Sequence, residues 1–312
     1  MFPPQDSFAK LQLPSLQRLP LDWLQRAGVE VAVLRLDLVD PELSGNKGFK
    51  LTHHLAAARE AGASGLISLG GPHSNHLHAL AAAGRRYGFA TVGLLRGLEQ
   101  RTPTVSDLLA FGMELHWLGY GGYRDRHRED FWTPWLQRYP LYRSVPEGGG
   151  GLAGALGCVP LVERLEELLA ELGWNDHQGW WLAAGTGTTL AGLVIGERGR
   201  RPVFGALAGP PSHGVDRQVE RLLFESREPK CGNYQLVDAA RGGFGRVDSE
   251  LLQFMAEVEG ASGIPLEPVY TAKAMMALRR HVESGYFARG TRLVFVHTGG
   301  LQGRRAAMAP AG

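Results

Sequence analysis

"GWWLAAGTGTTLAG", residues 179–192, runs from apolar residues through a turn of glycines and threonines and back into an apolar stretch. A strand should end near Ala184, Gly185 and Gly187 free the backbone, and Thr186, Thr188 and Thr189 surround them before a helix begins. Backbone N–H groups at a helix start, flanked by short hydroxyls, form a seat for phosphate. The spacing is G-x-G-x-x-x-x-G, not the G-x-G-x-x-G of a dinucleotide turn. No acidic residue lies between Glu197 and Asp216, where a ribose-binding carboxylate would be expected. A single-phosphate cofactor therefore fits best, against the plainer alternative of a glycine-rich turn that holds nothing.

Working outward, short β-rich runs alternate with helical patterns along nearly the whole chain. "VEVAVLRLDL" (29–38) reads as a strand, and 47–62 as a helix with Leu51, Leu55 and Ala58 on one face. "GLISLGG" (65–71) is a buried strand, followed by a helix from Asn75 to Tyr87 that Gly88 stops. Strands at 90–97 and 114–120 follow, with helices around 106–113 and near 124–138. Beyond "PEGGGG" (146–151) come an amphipathic helix over 158–173 and strands within 202–209, 234–240 and 292–300. Repeated βα units with apolar strands predict an α/β fold of parallel sheet covered by helices on both faces. Ligands on such sheets bind beyond the carboxyl ends of the strands. The glycine loops after residues 69, 184 and 298 should therefore share one cleft.

Composition narrows the function. The 312 residues are 44% hydrophobic and 21% charged, ordinary for a globular chain. A net charge of +2 gives no basic field, so nucleic acid is not an expected partner. Cys158 and Cys231 cannot by themselves build a disulfide framework or a zinc site. "MFPPQDSFAK" has no apolar signal core and no segment reaches spanning length, so a cytoplasmic location is expected, with no membrane partner. His73, His76 and His78 cluster, but positions two apart on a helix point in different directions, and no paired carboxylate completes a set. No metal is expected. A G-x-S-x-G elbow is absent, which argues against a serine hydrolase.

Two other loops carry candidate chemistry. "GGPHSNH" (70–76) places Ser74 and Asn75 at a helix start, where N–H groups suit an anion such as a carboxylate. A serine there can relay protons, or it can be an ordinary cap. "SGNKGFK" (44–50) places Lys47 at a turn between strand and helix, where a solvated lysine would need no role.

Together, "SGNKGFKL" (44–51), "GGPHSNH" (70–76), "AAGTGTTLAGL" (183–193), "PVYTAKAM" (268–275) and "HTGG" (297–300) resemble the fold-type II pyridoxal-phosphate enzymes. Within that tryptophan-synthase-β-like superfamily, they are similar to the aminocyclopropane-carboxylate deaminase and D-cysteine desulfhydrase family. The resemblance implies a two-lobed fold with a small lobe over 50–157. Residues 1–49 and 158–312 would form the large lobe, with pyridoxal 5′-phosphate between the two, and the protein would be a homodimer. It implies that Lys47 carries the cofactor covalently, with Lys50 near the phosphate and Gly185, Thr186, Gly187, Thr188 and Thr189 cradling it. Asn75 would bond the ring oxygen. Ser74, beside Asn75 and His76, would hold the substrate carboxylate, and Tyr270 would stand over the active site.

The C-terminal motifs separate the branches of that family. Where the aminocyclopropane-carboxylate deaminases carry a glutamate paired with the pyridine nitrogen, this chain has Thr271, as the D-cysteine desulfhydrases do. Thr298 should stand near that nitrogen too. A carboxylate keeps the pyridine protonated and the electron sink deep, whereas a hydroxyl leaves it shallower. This tilts the expectation toward β-elimination from D-cysteine, giving pyruvate, ammonia and hydrogen sulfide. Ring opening of 1-aminocyclopropane-1-carboxylate is the alternative. Phe244 stands on the substrate side, where relatives usually carry a second tyrosine. It cannot donate a proton, so a non-catalytic carrier or sensor of the cofactor also stays open.

Overall fold

The computed structural model describes residues 14–43 and 45–307. Residues 1–13, Ser44 of the lysine motif and 308–312 lie outside the described residues. Strands β1 (Ser15–Arg18), β2 (Glu30–Arg35), β7 (Gly179–Ala184), β8 (Val203–Leu207), β9 (Tyr234–Asp238) and β10 (Arg292–His297) form one sheet. Their order is β1-β2-β10-β7-β8-β9. A second sheet, in the order β5-β4-β3-β6, holds β3 (Gly65–Gly70), β4 (Ala90–Leu95), β5 (Glu114–Trp117) and β6 (Tyr142–Ser144). Every pairing is parallel except that of β1 with β2. The two-sheet α/β architecture expected from the motifs is the one found.

Period-two alternation explains the larger sheet. Trp180 and Leu182 of β7 enter one core with Leu34, Val294 and Val296, while Trp181 and Ala183 enter the opposite core with Val33 and Phe295. Both faces are covered, so β7 is buried at every residue. Each indole still finds an acceptor: Trp180 Nε1 donates to Glu197 Oε1 at 2.6 Å, and Trp181 Nε1 to the Ala274 carbonyl at 2.9 Å. On the smaller sheet, the helices Asn46–Glu60 and Asn75–Tyr87 bury Leu51, Leu55, Ala58, Leu77 and Leu80 against Leu66 and Leu95. Val145 belongs to that core, whereas Ala155 and Cys158 belong to the larger one. The chain passes between them through Gly148–Gly151, where Gly148, Gly149 and Gly151 have positive φ.

Some expectations need correction. The strand anticipated over 29–38 ends at Arg35, because Leu36–Leu38 close into a 3-10 turn. The helix expected near 124–138 is instead two short helices, Gly119–Arg124 and Thr133–Arg138. Pro134, in the first turn of the second, has no N–H to continue a preceding helix. The helix expected around 106–113 begins at Pro103, capped by Thr102, whose hydroxyl accepts from Val105 N. Neither β1 nor the helix Ser249–Ser262 was anticipated.

The lysine helix is held by backbone contact. A Cβ on Gly157 would lie 2.1 Å from the Phe49 carbonyl oxygen, inside the first turns of that helix. Gly157→Ala should therefore destabilise the chain by about 1–3 kcal/mol. Gly260, in the helix Ser249–Ser262, faces open space, so Gly260→Ala should raise stability by about 0.5–1 kcal/mol. Denaturant melts of the two variants, moving in opposite directions, check both.

Candidate active site

The site is built where strands of both sheets end. The loops after β3, β7 and β10 all reach it, as their placement beyond residues 69, 184 and 298 implied. The joint between sheets is a backbone contact. Gly45 caps the lysine helix at φ 64°, and its missing Cβ would sit 2.0 Å from the Thr298 carbonyl oxygen. Asn46 N donates to that same oxygen at 3.1 Å. Any side chain at Gly45 would collide there, in a conformation that already favours glycine. Asn46 then reaches across with its side chain, Nδ2 donating to Thr189 Oγ1 at 2.8 Å.

Lys47 and Lys50 follow on this helix. Lys47 Nζ lies 3.4 Å from the Gly148 carbonyl, and Lys50 Nζ 3.4 Å from Thr186 Oγ1. Lys50 is buried, whereas Lys47 keeps part of its surface exposed. Among the described residues no carboxylate forms an ion pair with either amine. Desolvation lowers both amines from the usual lysine range, Lys50 the further because Lys47 also repels its charge. Cys158, close enough to feel both lysines, has its thiol pushed up to about 11 by burial.

Opposite the lysines is the threonine turn. Gly187 takes φ 73° as cap of the helix Thr188–Glu197, and no side chain caps that start. Thr186 Oγ1 and Thr188 Oγ1 lie 2.9 Å apart. Gly148 and Gly185 permit close approach: a Cβ on Gly148 would meet Thr186 Cγ2 at 2.9 Å, and one on Gly185 would meet Tyr270 Cε1 at 2.9 Å. Free N–H groups, hydroxyls and an amine without a counter-anion form a donor set suited to a phosphate. The residues present fit pyridoxal 5′-phosphate: Lys50 and Thr186–Thr189 would hold its phosphate, and the amine of Lys47 would meet its aldehyde.

On the β3 side, Ser74 caps the helix Asn75–Tyr87, its Oγ accepting from Leu77 N at 3.1 Å. Its hydroxyl hydrogen stays available. Asn75 Oδ1 accepts from Gln302 Nε2 at 3.0 Å, and a Cβ on Gly300 would lie 2.6 Å from Asn75 Nδ2. His76 turns away from these two. Its Nε2 is 2.8 Å from Ser68 Oγ, which donates its own proton to the Val145 carbonyl at 2.7 Å. Nε2 must therefore carry the hydrogen, leaving Nδ1 a bare acceptor, buried and without a partner. Burial and the nearby lysine charges hold His76 well below the usual histidine range, hence neutral.

The start of the helix Thr271–Glu283 completes the site, and it depends on Glu267, which sequence reasoning missed. The Glu267 carboxylate accepts N–H bonds from Val269 at 2.9 Å, Tyr270 at 2.5 Å and Thr271 at 2.6 Å. Burial nevertheless pushes this carboxyl up to about 7. Thr271 Oγ1 accepts from Glu267 N at 2.8 Å and lies 3.2 Å from the Glu267 carbonyl, to which it donates. Its hydroxyl is thus turned into the helix start. Burial and the charges of Glu267 and Glu147 push the Tyr270 phenol above its ordinary value, so it holds its proton. Phe244 is half exposed, its ring 5.7 Å from that of Tyr270. Thr298 is buried, contributing its carbonyl to the joint with Asn46.

Known proteins are similar to this chain in sequence and fold. Residues 12–299 match the family described as "Pyridoxal-phosphate dependent enzyme". The chain is 28% identical over 325 residues to the mitochondrial bifunctional D-cysteine desulfhydrase/1-aminocyclopropane-1-carboxylate deaminase of Arabidopsis thaliana, covering 96% of this chain and 79% of that one. To D-cysteine desulfhydrase of Salmonella choleraesuis it is 26% identical over 304 residues, covering 90% and 91% of the two chains. A crystal structure described as the ACC deaminase homologue superposes with a TM-score of 0.82 at 27% identity, over 97% of this chain and 96% of the other. Serine racemase from Dictyostelium discoideum, 14% identical with a TM-score of 0.68, shares the fold. By this match along nearly its whole length, the chain belongs to the pyridoxal-phosphate dependent enzymes, in the aminocyclopropane-carboxylate deaminase and D-cysteine desulfhydrase family.

Proposed function

We propose that this enzyme eliminates the β-substituent of a small amino acid, with D-cysteine as its substrate and pyruvate, ammonia and hydrogen sulfide as products. The observation that carries the reading is position 271. A hydroxyl stands there, engaged with the backbone of Glu267, and the nearby carboxylate of Glu267 is occupied by three backbone N–H groups. Without a free carboxylate the site offers a shallow electron sink, enough to expel a thiolate but poorly suited to opening an unactivated ring. When bound, pyridoxal phosphate supplies that sink, withdrawing electrons from the amino acid's α-carbon.

The chain's own residues supply the rest. A phosphate beside Lys50 favours its charged form, so the neutral amine falls to Lys47, whose pKa desolvation already lowers. Neutral Lys47 Nζ accepts the α-proton. Ser74 Oγ and the N–H groups opening the helix Asn75–Tyr87 hold the substrate carboxylate. Asn75, fixed by Gln302, orients the cofactor ring. Tyr270, whose phenol stays protonated, donates a hydrogen bond to the departing sulfur.

Purified protein should release sulfide and pyruvate in equal amounts from D-cysteine. Borohydride reduction followed by peptide mapping should place the pyridoxyl label on Lys47, and Lys47→Ala should abolish both label and turnover. Label elsewhere, or holoprotein that releases neither product, sinks the reading; stable cofactor uptake without turnover of any amino acid would favour the carrier role instead. Tyr270→Phe should lower kcat by about 10²-fold while cofactor absorbance stays as in the parent. An unchanged kcat removes Tyr270 from the chemistry.

A further inference from the structure

Lys273 is nearly fully buried, two residues past Thr271, and none of the steps above uses it. Its ammonium faces three backbone carbonyls: Gly243 O at 2.7 Å, Ala240 O at 3.1 Å and Ala208 O at 3.4 Å. An ammonium has three hydrogens to donate, and these acceptors take all of them. Two of the carbonyls belong to the loop after β9 and one to the loop after β8, so a single side chain ties both to the helix that opens with Tyr270 and Thr271.

The tied loop has two turn bonds of its own, Gly243 N donating to the Ala240 carbonyl at 3.1 Å and Arg246 N to the Gly243 carbonyl at 3.3 Å. Arg241, Gly242 and Gly245 have φ of 51°, 79° and 76°, so the backbone doubles back and turns carbonyls inward. On its outer side, Arg241 pairs with Asp248 and Glu250 at 2.8 and 2.6 Å. On its inner side Lys273 adds its ammonium donors to the Ala240 and Gly243 carbonyls. Phe244 follows Gly243 directly, and its ring meets Tyr270 at 5.7 Å and His213 at 6.2 Å. A Cβ on Gly209 would lie 3.4 Å from Phe244 Cβ and 2.7 Å from His213 Nδ1, so the loop after β8 fits closely against the same wall.

We propose that Lys273 is a positioning residue for substrate selection: by holding the carbonyls of Ala208, Ala240 and Gly243, it sets how far Phe244 and His213 stand from Tyr270. It thereby fixes the width of the substrate side of the cleft. The inference rests on the placement of substrate beside Tyr270 and Phe244 in the proposed function. Lys273 touches neither the cofactor seat at Thr186–Thr189 nor Lys47. Its loss should change amino acid affinity and spare cofactor binding.

The test compares holoenzyme of the parent, Lys273→Met, which keeps the stem without donors, and Lys273→Ala, which opens a cavity the size of the lost chain. Both variants should retain bound pyridoxal phosphate and its absorbance. KM for D-cysteine should rise about tenfold with kcat changed less than about threefold. Added ethylammonium should restore KM in Lys273→Ala and leave Lys273→Met unchanged. Trypsin should cut after Arg241 or Arg246 in the variants faster than in the parent, and ethylammonium should protect Lys273→Ala. Variants with parental KM and parental tryptic resistance overturn the proposal. So does a joint loss of cofactor, kcat and thermal stability without rescue, which would make Lys273 a folding residue only. If the parent itself turns over no amino acid, the proposed reaction fails on its own, and tryptic resistance with its rescue still decides the role of Lys273.

Discussion

Two lysine amines stand side by side between the sheets with no carboxylate to answer them. Water-free surroundings penalise such charges strongly, and a folded chain tolerates the arrangement only where something else balances it. Here Thr186, Thr188 and the uncapped start of the helix Thr188–Glu197 face Lys50, a set of donors whose charge an anion would balance. On the proposed reading, an anion bound there keeps Lys50 charged and leaves the neutral state, which a nucleophile or base requires, to Lys47. The separation of roles between two identical side chains three residues apart comes from what each one faces.

Such a site must bring distant segments within bonding range, and glycine does this at the joints. Gly45 lets the lysine helix rest on the Thr298 carbonyl, and Gly300 lets Asn75 approach the loop after β10. Gly185 lets the Tyr270 ring lie on the phosphate turn. At Gly45 the closest approach is to backbone and at Gly185 to a ring, and at Gly300 it is to an amide side chain bonded to Gln302. The high glycine content, 43 residues, therefore reflects in part how tightly segments from the two sheets meet around the site.

Much of this was legible in the sequence because the signals are local. A strand, a glycine turn and a helix start within 179–192 give the β7–helix unit and the threonine turn between them. The helix Asn75–Tyr87 matched its reading at both ends, since Ser74 caps it and Gly88 stops it in the left-handed conformation. What escaped depends on contacts between distant segments. Glu267 is an unremarkable acid in a proline-containing stretch until the fold turns three N–H groups onto it. Ser68 fixes the His76 tautomer only because Val145, seventy-seven residues away, offers its carbonyl. β1 was missed because four residues, Ser15–Arg18, carry no apolar alternation strong enough to announce a strand, and its antiparallel pairing departs from the βα rhythm. The directions taken by His76 and Thr271 were beyond reach as well, because a motif fixes where a residue sits and neighbours decide where it points.

The adjacent indoles of β7 have a spectroscopic meaning. Because successive residues of a strand face opposite ways, Trp180 reports on one core and Trp181 on the other, with identical exposure and a single peptide bond between them. Their local fields differ: Trp180 donates to a buried carboxylate, whereas Trp181 stacks on Phe204 at 5.5 Å. Of the seven tryptophans in this chain, these two are paired gauges, one for each layer of helices that covers the larger sheet.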